Sequence, residues 1–277
     1  MTHQEIILES YNHFMGLLDN GRIPIDLRAP SLVGTVQDDP FDMWVGTELV
    51  KALPHLEVVH SGKLTTPDII IRERETGTIV SLEVKKLIQK STGADPRGLT
   101  LDYNSSIPCG QALIKVGSDT VAIPCFYLFC LLDPSSEAIV TLILMDGDFL
   151  NYDFNLHKKA KTANVSEYNH GPYGEGSVRR RAMYTYPNPL NAKLSFFHLR
   201  KTLVIKSFDS ENLRIEDKST HTIHRDDIYG NSFHYSIIDT TVAPSSGDKP
   251  VLKDVFKACK DRKPKKRTHS TPRIDPL

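Results

Sequence analysis

The sequence predicts an α/β (α+β) protein with a central mixed five-stranded sheet flanked by helices. Three observations carry that expectation. Two amphipathic helical patterns open the chain, short β-branched runs follow them, and the nearly all-apolar stretch Val121 to Leu132 reads as a central strand buried on both faces.

Gln4 to Leu18 sets Ile7, Tyr11, Phe14 and Leu18 at helical spacing, and Asp19-Asn20-Gly21 stops the helix. Residues 22 to 38 carry Pro24 and Pro30 and read as irregular. Asp39 as N-cap and Pro40 in the first turn start a second helix, with Phe41, Trp44, Val45, Leu49 and Val50 on its apolar face. Leu56 to His60 reads as a strand. The runs 68–73 and 79–85 read as a hairpin around Glu75-Thr76-Gly77-Thr78, where Gly77 supplies a positive φ. A loop with a short helix is expected over 90–118, then strands at Val121 to Leu132 and Ala138 to Met145. The segment 151–182 turns polar and basic with scattered tyrosines, and Leu194 to Phe208 and Phe233 to Ile238 read as later strands. One domain over 1–259 is expected, with a core at about 39–145 and additions at about 146–259. The basic tail 260–277 has few apolar residues and is expected to be disordered.

At 277 residues, 39% hydrophobic and 25% charged, the chain has the composition of a soluble globular protein with ample core. Its formal net charge of zero announces no nucleic-acid partner, although a basic cleft and an acidic site can balance to zero. No apolar stretch reaches membrane-spanning length, and Met1-Thr2-His3-Gln4-Glu5 lacks a signal-peptide pattern. Cys109, Cys125, Cys130 and Cys259 form no Cys-x-x-Cys pair, which argues against zinc and fits reduced thiols in a cytoplasm. His221-x-x-His224 has no nearby cysteine. Gly62-Lys63 is followed by leucine, not the hydroxyl a phosphate-binding loop needs, and no Gly-x-Ser-x-Gly elbow appears.

The chemistry concentrates on the hairpin. Residues two apart on a strand share a face, so Glu83 and Lys85 point one way and Val84 the other. The turn places Asp68 opposite residues 83 to 85, within roughly 5–8 Å, close enough for Asp68 and Glu83 to share one ion. Two carboxylates at a strand edge make a hard oxygen site suited to Mg²⁺ or Mn²⁺. A neighbouring lysine can align or deprotonate a water, or steady the negative charge of a phosphoryl transition state. An ordinary hairpin with solvated charged ends would carry the same residues. The strand-like apolar runs on both sides, joined by a turn of workable length, favour the chemical reading.

Pro67-Asp68, followed on the next strand by Glu83-Val84-Lys85, resembles the PD-(D/E)XK nuclease superfamily and in particular its type II restriction endonucleases. The resemblance implies a restriction-endonuclease-like core, metal binding by Asp68, Glu83 and the backbone carbonyl of Val84, and Lys85 as the catalytic lysine. It implies Mg²⁺ as cofactor, with Mn²⁺ able to substitute, and double-stranded DNA as partner. A homodimer and functional pairing with a cognate DNA methyltransferase follow from it as well. Glu48, on the helix before the first strand, stands where many members place a further acid at the metal; a solvated helix glutamate is the alternative. Leu99 to Pro108 is similar to a stretch that follows the catalytic strand in several restriction enzymes, which makes Asn104, Ser105 and Ser106 candidate DNA contacts. Arg179, Arg180 and Arg181, with Lys158 and Lys159 upstream, are candidates for phosphate contact or guanine readout, or else a solvated face. The expected function is a Mg²⁺-dependent, sequence-specific DNA endonuclease. A repair, junction or transposon-type nuclease, or a catalytically silent DNA-binding protein, are the alternatives.

Neutralising Arg180 and Arg181 together is expected to weaken DNA binding and to reduce the salt slope of affinity by about one per lost phosphate contact. Binding isotherms at several salt concentrations check this, and an unchanged slope places both residues in solvent.

Overall fold

The computed structural model describes residues 1–19, 40–61, 65–88, 100–101, 110–132, 139–150, 183–184, 197, 200–226, 231–239 and 272–277. Helix α1 (His3–Asp19) begins in a capping box: the Glu5 amide donates to Thr2 Oγ1 at 3.2 Å and the Thr2 amide to Glu5 Oε2 at 2.6 Å. Helix α2 (Pro40–Ala52) follows. Together they lay Ile6, Ile7, Tyr11, Phe14, Phe41, Trp44, Val45 and Leu49 on one face of the sheet.

The strands are β1 (Leu56–His60), β2 (Ile69–Glu73), β3 (Ile79–Ile88), β4 (Thr100–Leu101), β5 (Gln111–Val116), β6 (Asp119–Leu132), β7 (Ile139–Asp146), β8 (Met183–Tyr184), β9 (Lys201–Lys206), β10 (Ser219–Asp226), β11 (Ser232–Asp239) and β12 (Arg273–Ile274). The main sheet runs β1-β2-β3-β6-β7-β9-β11-β10. Strand β3 lies parallel to β6 and β7 parallel to β9; the other pairs along this path are antiparallel. The first half of β6 leaves the main path to pair with β5, and β12 adds to β5 in parallel. The second face is covered by Ala112 and Ile114 of β5, Ile123, Phe149, Leu150, Phe197 and Ile274.

The expectation of a five-stranded, helix-flanked core is therefore corrected, and with it the expected restriction-endonuclease-like architecture. The described residues are mostly β: ten of their strands join one large mixed sheet, and they contain only α1, α2 and the short α3 (Ser207–Asn212) as α-helices. Helical packing covers one face and a β-hairpin covers the other. One local and one long-range cause explain the difference. Residues 111–116, expected within a loop and short helix, form a strand because Gly117 at φ +60° and Ser118 make a two-residue hairpin turn between Val116 and Asp119. Strands β9, β11 and β10 then continue the sheet past β7 rather than standing apart from it. The tail expected to be disordered also ends in order, with Ile274 buried and Lys115 N–H donating to Pro272 O at 2.8 Å.

Two helix glycines are expected to respond in opposite directions. A Cβ at Gly16 meets nothing, so Gly16→Ala should stabilise by about 0.5–1 kcal/mol through lower unfolded-state entropy. A Cβ at Gly46 would overlap the imidazole of His60 on β1, so Gly46→Ala should destabilise by about 1–3 kcal/mol despite better helix propensity. Denaturant midpoints of the two variants check both signs.

Candidate functional site

The β2–β3 hairpin is set by its turn. Glu73 N–H donates to Thr78 O at 2.9 Å, and Gly77 takes φ +73°. The Glu73 carboxylate accepts the Thr76 hydroxyl and the amides of Glu75 and Thr76, which hold its pKa down at about 2. Ile69 then faces Leu82 and Arg72 faces Ile79. One further step puts Asp68 opposite Glu83, inside the span expected from the sequence.

Hydrogen-bonded and non-hydrogen-bonded pairs alternate along an antiparallel ladder. Counting from Glu73 and Thr78, the 69/82 and 67/84 positions are of the hydrogen-bonded kind. Asp68 and Glu83 thus form a non-hydrogen-bonded pair, the kind whose Cα atoms approach to about 4.5 Å. Residue 67 is proline, which has no N–H to give, so the ladder cannot run on through Val84. The Asp68 side chain takes up the other half of that step: its Oδ2 accepts the Val84 N–H at 2.8 Å. The Val84 carbonyl receives no ladder donor from Pro67.

Face assignments agree with the expected alternation. Ile69, Ile71, Leu82 and Val84 pack beneath the helices, whereas Ile70 and Leu87 pack with Tyr127 and Phe129 on the opposite side. By the two-residue period, Asp68, Glu83 and Lys85 share that opposite side. Glu83 is only 1% exposed, and Lys85 Nζ pairs with its Oε1. A buried carboxylate needs such a cation, because desolvation alone would cost several kcal/mol.

Asp68, Glu83, Lys85 and the Val84 backbone are therefore brought together. Glu48 is not: it lies on the helix-covered face, 3.8 Å from His13 of α1 and 3.8 Å from Lys51. The candidate DNA contacts Asn104, Ser105, Ser106, Lys158, Lys159, Arg179, Arg180 and Arg181 lie outside the described residues. The strands bordering two of those groups do pair, Thr100 with Tyr184 and Leu101 with Met183.

For a divalent ion, two carboxylates and a backbone carbonyl are hard oxygen donors. Magnesium binds through one or two carboxylates and keeps several waters, so this donor set fits it. Among the described residues no group of three or more His, Cys, Asp or Glu side chains is gathered as a metal cage.

A second polar cluster escaped the sequence reading. Asp146, at the end of β7, accepts the Asp148 amide at 2.8 Å, while Lys206 of β9 lies 2.7 Å from Asp148 and 3.9 Å from Asp146. Burial pushes the Asp146 carboxyl up to about 7 against the pull of Lys206, with Asp148 adding to the rise. Nothing in one dimension brings residues 146 and 206 together; the parallel pairing of β7 with β9 does.

No protein-family model, curated protein or solved structure matches the chain. No helix of the described residues is long and apolar enough to cross a membrane.

The raised Asp146 carboxyl has a measurable consequence. The folded protein holds a proton there that the unfolded chain, with an ordinary carboxyl near about 3.9, releases, so this group's contribution to stability falls as pH rises from about 4 to about 7. The Tm of Asp146→Asn relative to the wild type should rise by a few degrees between pH 5 and pH 8. Thermal unfolding at both pH values checks this; a relative Tm that falls over that range would mean that the Lys206 attraction outweighs burial.

Proposed function

We propose that this protein is a Mg²⁺-dependent nuclease that hydrolyses phosphodiester bonds of double-stranded DNA, in its sharpest form a site-specific endonuclease. The observation that carries the proposal is the ladder end at Pro67. There Asp68 and Glu83 stand side by side, the Val84 carbonyl lacks a ladder donor from Pro67, and Lys85 contacts Glu83.

Asp68, Glu83 and the Val84 carbonyl would hold the ion. When bound, Mg²⁺ supplies a Lewis acid and lowers the pKa of a water at the site. Asp68 is oriented for this by the Val84 amide, which fixes one of its oxygens. Glu83 is held at the buried end of the group, where the low-dielectric surroundings strengthen its pull on a cation. Lys85 neutralises Glu83 in the described state, and its ammonium stands where it can steady charge on a phosphate brought to the carboxylates. Lys85 would align or activate the attacking water, or steady the charge that develops on the phosphate.

DNA as the substrate is suggested by the sequence of residues 99–108 and 158–181, whose hydroxyl, amide and basic side chains suit phosphate and base edges. A twofold dimer would follow if the cleaved sites are palindromic.

Digestion of long unmethylated duplex DNA, in Mg²⁺ and in EDTA, tests the proposal. Discrete Mg²⁺-dependent fragments are expected. Asp68→Asn and Glu83→Gln should each lower the rate by on the order of 10²–10³-fold, and Lys85→Ala should lower it heavily with metal affinity retained. A smear would mark a non-specific nuclease. Intact DNA, or unfolding of the Glu83→Gln protein, would make the Glu83–Lys85 pair a structural one.

A further inference from the structure

The row that contains Asp68 and Glu83 does not begin at Asp68. Strand β1 pairs with β2 so that His60 faces Ile69, and the ladder runs one step further: the Ser61 amide donates to Asp68 O at 3.0 Å. Ser61 therefore stands directly opposite Asp68 on one side, as Glu83 does on the other. Val59 packs on the face of Ile70 and Tyr127, and Val58 on the helix face. By the same two-residue period, Ser61 shares the face of Val59, and hence of Asp68 and Glu83.

The Ser61 hydroxyl oxygen is shielded from solvent and has no hydrogen-bond partner among the described residues. A buried hydroxyl left unmatched forfeits its hydration without return, and such groups in native proteins usually answer to a water, an ion or a catalytic need. Ser61 just past the end of β1, Asp68 just before β2 and Glu83 within β3 thus stand in one line across the sheet. The hydroxyl can donate and accept at once, which two carboxylates cannot.

We propose that Ser61 is a positioning residue of this site, whose hydroxyl holds a water in the shell of the divalent ion carried by Asp68 and Glu83. The proposal rests on the metal-dependent reading above and names a residue that the Pro-Asp and Glu-x-Lys pattern does not contain. Its position follows from the β1–β2 register alone.

The test measures Mn²⁺ binding to the full-length protein without DNA, by calorimetry, for wild type, Ser61→Ala, Ser61→Thr and Asp68→Asn, with Tm recorded for each. Ser61→Ala is expected to weaken Mn²⁺ binding by on the order of 10-fold, with Tm without metal unchanged or raised because an unmatched hydroxyl is gone. Ser61→Thr keeps the hydroxyl and should recover most of the affinity, and Asp68→Asn should lose it. If Ser61→Ala binds Mn²⁺ as tightly as wild type while Asp68→Asn fails, Ser61 has no part in the site and the metal reading stands. A Tm drop of several degrees in Ser61→Ala without metal would make the hydroxyl a structural group. Absence of Mn²⁺ binding by the wild type would overturn both the role of Ser61 and the reading beneath it.

Discussion

The parallel alignment of β3 with β6 is the constraint that organises the molecule. Parallel neighbours cannot be joined by a tight turn; they need a crossover of a dozen or more residues. Here the chain spends residues 89–118 between the two strands and lays down β5 on the way. The eight-residue register from Ser81/Cys125 to Ile88/Leu132 then fixes what lies on each face. Leu82 and Val84 turn toward α1 and α2, while Glu83 and Lys85 line up with Tyr127 and Phe129. With β7 on its other side, β6 from Cys125 to Leu132 is buried throughout.

Along the β2–β3 hairpin the candidate site sits where the regular hydrogen bonding stops. At the start of β2, Pro67 ends the ladder and the Asp68 side chain accepts the Val84 N–H there. A buried acid beside a lysine is by itself compatible with a purely structural pair. This pair stands at a broken ladder, one step from a second carboxylate, and Asp68 lies opposite a hydroxyl with no hydrogen-bond partner among the described residues.

The two faces are covered by different means. Helices roof one of them, and the β5–β6 hairpin with β12 covers the other. Arg72 ties the main sheet to the second cover: it is 4% exposed, bonds Glu57 of β1, and reaches the backbone oxygen of Asp275 beyond β12. The Asp146–Lys206 cluster does similar work farther along, linking the end of β7 to the end of β9.

Much of the local structure was legible in the residues. Helix α1, helix α2 from Pro40, strand β1, the β2–β3 hairpin and the apolar β6 all follow from periodicity, caps and one turn glycine, because each depends on neighbours a few positions away. The juxtaposition of Asp68, Glu83 and Lys85 was legible for the same reason, since a hairpin converts a short turn into a register. Sheet order was not. That β9, β11 and β10 extend the sheet, that Ile274 closes over it, and that Glu48 faces His13 are set by contacts between distant segments. Ser61 shows the division within one site: the sequence determined its hydroxyl, and only the pairing of β1 with β2 set it beside Asp68. Local patterns record which face of a strand is apolar; which strand lies next to it is decided by the packing of the whole chain.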